Sequence, residues 1–478
     1  VTENPPLWQH QKQAIENAKD YTCYGLFFEA GTGKTRTMIE ILRSKCIANG
    51  RLLKTLVLCP PVVMSNWKNE IGRFSKISTD DVILLKGTGS ERYDLIMEHA
   101  QVEKRPKIFV VNYESLLIEK VLKAFHWYGF DCIIADESHR IKSHDSKRTK
   151  CLLELAKKVK YKYILTGTPV LQGPLDLFTQ FQFMDGGKTF EPVGNSFFVF
   201  RRTYFYNKNA EAPSHVTWPD WTIRPGALEE IQQKISKLSM SVVKSQCLDL
   251  PELVKKTIPV ELSKEQKKHY ESMKNSFITF LGDKACTAQL AVTKALRLQQ
   301  IVSGYITLED GTNIHMKENP RLDALQEILE DLVVENGKKV IIWACWKENY
   351  KQIKSVLEKL NIIYREAHGD VPAKDRQEAI DSFCNFENIK VFLGNQGAAG
   401  IGINLVQASY SIYYSRNFSL EHDIQSEARN YRGGSEIHDK VTRIDLVAQG
   451  TIDECILQAL ANKMEMSDKL LRVVAETL

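Results

Sequence analysis

No stretch of the sequence approaches the roughly 18 consecutive apolar residues that a bilayer-spanning helix needs, which argues against a membrane protein. The opening VTENPPLWQHQ lacks the basic and apolar regions of a secretory signal. An intracellular, soluble protein is expected, and with Val1 at the start, an initiator Met or a longer native N-terminus is expected upstream. The ten cysteines are scattered, with no Cys-x-x-Cys pair and no Cys/His spacing of the zinc type. That is the pattern of free thiols in a reducing compartment, so neither a structural metal nor a disulfide is expected. No repeat of 20 to 50 residues is present, which excludes a solenoid or propeller. The net charge of +5 is too mild to indicate a nucleic-acid partner by itself.

What is present is a soluble globular balance, 43% hydrophobic and 26% charged, over 478 residues. At about 150 residues per domain this allows two or three domains. Short β-rich runs at 55–59, 107–111, 131–135 and 161–166 alternate with amphipathic helical stretches. A second such set follows at 340–344, 361–365, 390–393, 411–414 and 441–446. Strands alternating with helices imply an α/β fold with mostly parallel sheets flanked by helices. Two tandem lobes are expected, 1–250 and 251–478, with the boundary near Leu250 and Pro251.

The most specific chemistry lies in GLFFEAGTGKTRTMIEIL, an apolar strand running into Gly31, Thr32, Gly33, Lys34 and Thr35 and then a helix. Glycines let backbone N–H groups cradle phosphate oxygens at a helix N-terminus. Lys34 supplies a positive charge to the β- and γ-phosphates, and Thr35 a hydroxyl to Mg²⁺. The first position of the generic phosphate-loop pattern is Phe28 rather than Gly. About a hundred residues on, DCIIADESH places Asp136 and Glu137 after an apolar strand. By itself an Asp-Glu pair is as readily a solvated loop or a helix cap. Downstream of a phosphate loop, Asp136 reads as the metal-side carboxylate and Glu137 as the catalytic base.

Gln425, Arg429 and Arg432 stand at i, i+4 and i+7, which puts them on one face of a helix. Two guanidiniums there can reach one anion and stabilise a transferred phosphoryl group; solvated surface arginines are the bland alternative. Gly397, Gly400, Gly402 and Asn404 suit a helix start facing a nucleic-acid phosphate, or simply tight packing. Thr166, Gly167 and Thr168 form either a strand-end turn or a contact surface. FFVFRRTYFYNKN interleaves aromatics with cations, and core packing is favoured over base stacking.

DESHRIKSHDSKRT resembles the DEAH-RIKN motif of Swi/Snf-type ATPases of helicase superfamily two, with Ser138 in place of Ala. LWQHQ resembles that family's opening motif and puts Gln11 at the adenine-recognising position. VLCPPVVMSNWKNEI and VVNYESL resemble motifs Ia and Ib, and LTGTPVLQGPLDLF motif III. GAAGIGINLVQA resembles motif V, and IQSEARNYRGG motif VI with Ser435 where the closing Gln belongs. The resemblance implies two RecA-like lobes with helical protrusions, over 186–250 and 263–301, closing on ATP and Mg²⁺. It further implies tracking on double-stranded DNA without strand separation, and a partner in replication, recombination or transcription. The nucleic-acid contacts it implies are Ser65, Asn66, Trp67, Asn112, Tyr113, Thr166, Gly400 and Asn404. A strand-separating DNA or RNA helicase and an ATP-switched scaffold remain the alternatives. No strand-separating hairpin is expected beside the second-lobe motifs.

Overall fold

Apolar, β-branched runs with helices on either side become buried parallel strands, because the helical crossovers cover both faces of the sheet. The computed structural model describes residues 6–101, 106–171, 173–194, 196–211, 220–244, 247, 250–282, 288–308, 310–397 and 403–476. Two compact units meet in sequence at 248/249. Among the described residues no helix is long and apolar enough to cross a membrane.

The first unit carries strands β1 (Cys23–Phe28), β2 (Thr55–Leu58), β3 (Val82–Leu84), β4 (Ile108–Val111), β5 (Cys132–Asp136) and β6 (Tyr161–Leu165). A two-stranded antiparallel ribbon, β7 (Phe205–Asn207) and β8 (Trp221–Ile223), precedes β9 (Ser239–Val242). The sheet order is β3-β4-β2-β5-β6-β1-β9, with every neighbouring pair parallel. Alternate residues of β1 enter opposite cores: Phe27 packs with Phe109, Ile133 and Phe181, while Leu26 and Phe28 pack with Val57 and Ile134. Because the strands run parallel, the residues that follow β1, β5 and β6 emerge together at the carboxyl end of the sheet, where ligands of open α/β sheets bind.

The second unit holds β10 (Glu252–Val260), a hairpin of β11 (Tyr305–Thr307) and β12 (Asn313–His315), then β13 (Val340–Trp343), β14 (Tyr364–Ala367), β15 (Val391–Gly394), β16 (Tyr410–Tyr413) and β17 (Lys440–Ala448). Its order is β10-β17-β16-β13-β15-β14, again all parallel. Two parallel α/β sheets in tandem are therefore present, as the strand–helix alternation implies. Helices Phe197–Tyr204 and Ala227–Ile235 interrupt the first sheet's connectivity, and Lys264–Gly282 and Ala288–Val302 follow β10.

Four features depart from the expected pattern. The ELVKKTIPV sequence of β10 reads as polar, yet it forms a nine-residue strand; it lies at a sheet edge, where Pro259 and exposed lysines are tolerated. Strands β3 and β9 are too short or too polar to signal themselves. Strand β14 starts at Tyr364 rather than Asn361, because Asn361 takes φ +53° in the turn that ends helix Lys347–Lys359. The hairpin β11–β12 carries no signal in the sequence; it precedes the second-lobe motifs, beside which no strand-separating hairpin is expected. Its strands have three residues each, below the length at which alternation can be seen, and tertiary bonds fasten it. Asn313 Nδ2 and His315 Nε2 both reach the carboxylate of Glu348 at 2.8 Å.

Candidate active site

Strand β1 ends at Phe28, whose ring is fully buried, and the chain then turns through Gly31 and Gly33 at φ +91° and +82°. Those angles favour glycine, and a Cβ on Gly33 would stand 2.3 Å from Gln11 Nε2. Helix Lys34–Ala48 starts immediately after the turn. Lys34 Nζ donates to the carbonyl of Phe28 at 2.8 Å, and the Thr32 hydroxyl to that of Glu29 at 2.8 Å. Thr35 lies in the first turn of the same helix, partly buried. Gln11 is buried against the loop: its Oε1 accepts from Trp8 N at 2.9 Å and its Nε2 donates to Gly33 O at 3.3 Å. His10 Nε2 donates to Thr32 O at 2.9 Å, and burial holds its imidazole below the usual histidine range.

Strand β5 delivers Asp136, a buried carboxylate whose two oxygens each accept one bond. Trp67 Nε1 donates to Oδ2 at 2.8 Å, and the backbone N–H of Glu137 to Oδ1 at 3.0 Å. The Tyr113 hydroxyl donates to the Asp136 carbonyl at 2.7 Å. Burial, then the charge of Glu137, pushes the Asp136 carboxyl up to about 7, against the Trp67 bond and the charge of Lys34. Glu137 itself sits at φ +53°, a left-handed backbone that a non-glycine residue adopts at a cost of order 1–3 kcal/mol. Its Oε2 lies 3.5 Å from the Thr166 hydroxyl and 3.4 Å from His139 Nδ1.

Strand β6 brings Thr166 to the same carboxyl end of the sheet, and the Thr166 hydroxyl also accepts from Thr168 N at 3.0 Å. Gly167 packs onto the phosphate loop, where a Cβ would meet the Phe28 carbonyl at 3.1 Å. Ser138 is buried, and its hydroxyl donates to Gln180 Oε1 at 2.7 Å; Gln180 Nε2 in turn donates to the carbonyls of Pro169 and Asp176. The hydroxyl at this position thus has a defined acceptor, and it ties the acidic turn to the segment after Thr168.

The surface residues expected to meet nucleic acid separate into two groups. Ser65 and Asn66 are exposed in the first turn of helix Met64–Phe74, and Asn112 is partly exposed with Arg92 on its Oδ1 at 3.1 Å. Trp67, Tyr113 and Thr166 are enclosed, and their polar atoms serve Asp136 and Glu137. In FFVFRRTYFYNKN, Phe200, Tyr204 and Phe205 join the core while Phe198 remains 64% exposed.

In the second unit Gln425 lies on helix Leu420–Glu427, but Arg429 and Arg432 lie beyond its end. A single helical face for the three is therefore incorrect. The Arg429 carbonyl, which a continuing helix would offer to residue 433, is instead taken by Leu405 N at 2.9 Å, and Gly433-Gly434 follow. The two arginines still converge: Nη1 of Arg429 and Nη1 of Arg432 donate to the Ile403 carbonyl at 3.1 and 3.5 Å. Asn404 is exposed, its side chain accepting from Val406 N, and Gly400 and Gly402 lie outside the described residues. A buried ion network, which no local pattern announces, anchors the helix. Asp423 accepts from Arg443 at 2.9 and 3.0 Å and from Arg416 at 3.3 Å, and Glu427 accepts from Arg443 at 2.6 Å. Both guanidiniums lie over the ring of Tyr413.

The sequence matches the SNF2-related domain over residues 10–309 and the helicase conserved C-terminal domain over 321–434. It is similar to putative protein p41 of Acyrthosiphon pisum secondary endosymbiont phage 1, 26% identical over 99% of both chains. The DNA repair and recombination protein RDH54 of Saccharomyces cerevisiae is 24% identical over 98% of this chain and 54% of its own length. The chromodomain-helicase-DNA-binding protein 1-like of Danio rerio is 26% identical over 93% of this chain and 41% of its own. The chain thus spans about half or less of these two relatives. Among solved structures it is similar to the Sulfolobus solfataricus SWI2/SNF2 ATPase core in complex with dsDNA, at 24% identity and TM-score 0.44, over 98% of this chain and 95% of that one. With the SNF2-related match alone covering more than half of its residues, the chain belongs to the SNF2-related family of helicase-like, ATP-hydrolysing enzymes.

Proposed function

We propose that this enzyme is an ATP-driven translocase on double-stranded DNA that moves without separating the strands, with residues 1–250 and 251–478 as its two working lobes. The observation that carries the catalytic half is the convergence of Lys34, Asp136, Glu137 and Thr166 at the carboxyl end of a single parallel sheet. In this reading the loop Gly31–Thr35 cradles the triphosphate, Gln11 lies on the adenine side, and Lys34 leaves the Phe28 carbonyl for a phosphate oxygen. Glu137 orients the attacking water, and Thr166 and His139 fix the Glu137 carboxylate from behind. Arg429 and Arg432 bring positive charge to the transferred phosphoryl group, with Gln425 beside them.

The residues fit a magnesium ion. Asp136 is a buried carboxyl raised to about 7, a rise opposed by the charge of Lys34, which stands next to the Thr35 hydroxyl in the sequence of the phosphate loop. Among the described residues no three His, Cys, Asp or Glu side chains form a closed metal site, so the remaining ligands would be phosphate and water, as Mg²⁺ prefers. Bound there, the ion would neutralise charge on the β- and γ-phosphates.

The DNA half rests on relatives named for DNA repair, recombination and DNA binding, on exposed polar residues at Ser65, Asn66 and Asn404, and on the partly exposed Asn112. Contacts made chiefly to phosphates would be sequence-tolerant and would weaken with salt. Among the described residues the hairpin β11–β12 is a feature that favours a strand-separating helicase, but its turn presents the acidic Asp310 and its strands span three residues each. ATPase rates with single-stranded DNA, duplex DNA and RNA, paired with triplex displacement, test the reading. Duplex stimulation and third-strand release with the duplex intact are expected. Efficient unwinding of a tailed duplex would replace it with the helicase reading, and nucleotide-dependent binding without turnover would favour the scaffold.

A further inference from the structure

Helix Met64–Phe74 has two sides with different duties. Met64, Trp67 and Ile71 point into the core, while Asn66, next to Trp67, and Ser65 before it are exposed. Trp67 is 1% exposed, and its indole N–H is the only side-chain donor recorded on the Asp136 carboxylate among the described residues. A carboxylate that carries a metal shell is oriented by such outer hydrogen bonds, and losing one typically costs roughly 10- to 100-fold in affinity or activity. A second segment repeats the arrangement. Asn112 is partly exposed, and the next residue, Tyr113, is buried with its hydroxyl on the Asp136 carbonyl. The two surface segments expected to meet nucleic acid are thus each one residue removed from an aromatic whose polar tip holds Asp136.

We propose that Trp67 is a positioning residue through which nucleic acid engaged at Ser65 and Asn66 sets the carboxylate of Asp136, so that hydrolysis follows engagement of the strand. The inference rests on the DNA-translocase reading and specifies how its ATP site is regulated. A rigid α-helix cannot shift its exposed first turn without carrying the indole at the next position. The 2.8 Å bond passes that shift to the carboxylate, which lies in a packed interior with little room to accommodate it otherwise. Trp67 touches neither nucleotide nor nucleic acid in this scheme; it acts through Asp136.

The test uses the full chain in two forms altered at one atom group. Trp67→Phe removes the indole N–H with some loss of volume, and β-(3-benzothienyl)alanine at position 67 removes the N–H while keeping the bicyclic shape. At saturating duplex DNA, turnover is expected to fall roughly 10- to 100-fold in both. The ratio of rates with and without duplex should fall toward one, with duplex affinity by fluorescence anisotropy and the KM for ATP each held within about threefold. A second readout is independent of turnover: the ¹⁵N-indole resonance of Trp67, assigned by its absence in Trp67→Phe, should move when duplex is added without nucleotide or metal. An unmoved resonance at saturating duplex, or a stimulation ratio kept in the benzothienyl form, overturns the coupling. A parent enzyme that no nucleic acid stimulates would instead overturn the translocase reading and this inference with it, and the two failures are told apart by the parent alone.

Discussion

The ammonium of Lys34 donates to the carbonyl of Phe28 at 2.8 Å, so the charge expected to meet phosphate is held by the loop that carries it. Exchanging a carbonyl for a phosphate oxygen requires only a side-chain rotation, because the flanking turn is already fixed at Gly31 and Gly33. Lys34→Ala should lower ATP turnover by at least about 100-fold, as expected when a preorganised charge partner is removed. Its thermal midpoint should stay close to that of the parent, since the bonds lost are contacts to two neutral carbonyls, those of Phe28 and Glu29. Turnover within tenfold of the parent would refute the assignment of the loop.

Glu137→Gln keeps the shape of the side chain and its neighbours Thr166 and His139 but removes the proton acceptor. Loss of a general base typically costs about 10²–10⁴-fold. The variant should therefore bind a fluorescent ATP analogue as the parent does while hydrolysis falls by that factor. Equal loss of binding and turnover would place Glu137 in substrate binding instead of proton transfer.

The phosphate loop and the acidic pair are legible in the sequence because each is local: GTGKT and DE stand beside the strands that deliver them, and short-range pattern suffices. Trp67 and Tyr113 show where that stops. Their motifs mark them as important, yet their partner is Asp136, 69 and 23 residues away, and only the packing of helix Met64–Phe74 and the turn after β4 brings them there. The arginine spacing misleads for a related reason. A periodicity of i, i+4, i+7 presumes an unbroken helix, and the competing bond from Leu405 N to the Arg429 carbonyl is a tertiary contact that no spacing encodes. Strand β10 was hidden by its lysines and Pro259, which its edge position makes harmless.

Arg429 and Arg432 should behave differently despite their shared acceptor. Arg429 is buried, with a second bond from Nε to the Gln425 carbonyl at 2.8 Å, whereas Arg432 is more open and makes the longer contact to Ile403. Arg432→Ala should leave ATP binding largely intact while hydrolysis collapses by about 10³-fold. Arg429→Ala should in addition lower stability by about 1–3 kcal/mol, from carbonyls left without a donor. Hydrolysis by Arg432→Ala at the parental rate would remove it from the reaction.

The network at Asp423 predicts a stability effect with a clear sign. Arg443 and Arg416 are both buried and both bond to Asp423, so Asp423→Ala takes one carboxylate out of a buried network in which Asp445 still meets both guanidiniums and Glu427 meets Arg443. Breaking one member of a buried ion pair costs about 3–5 kcal/mol. The loss should appear in the unfolding transition of the second unit, followed by hydrogen exchange at β16 and β17, with β1 and β5 little affected. Uniform loss of protection across both sheets would contradict it.

Asp136 makes the stability of the metal-free protein depend on pH in a defined direction. Burial, with the charge of Glu137, raises its carboxyl from 3.8 to about 7. A carboxyl whose folded pKa exceeds its unfolded value keeps a proton that the unfolded chain has already released. Its contribution is therefore fully present below the unfolded value and is lost as pH rises through the folded one. In EDTA, the loss accumulates between about pH 4 and 7 and amounts to a few kcal/mol, on the order of 1.4 kcal/mol for each pKa unit. Other groups titrate over the same range, so the informative quantity is the difference between the parent and Asp136→Asn. Asparagine cannot ionise, and its amide NH2 would face one of the two donors, the Trp67 indole or the Glu137 N–H, with the wrong polarity, a penalty that does not change with pH. The parent should accordingly lose stability relative to Asp136→Asn as pH is raised from 5 to 8, with the difference levelling off above the folded pKa. A difference that stays flat across that range, or tilts the other way, would mean that Asp136 is ionised throughout and that Lys34 and Trp67 compensate its charge more fully than its burial opposes it.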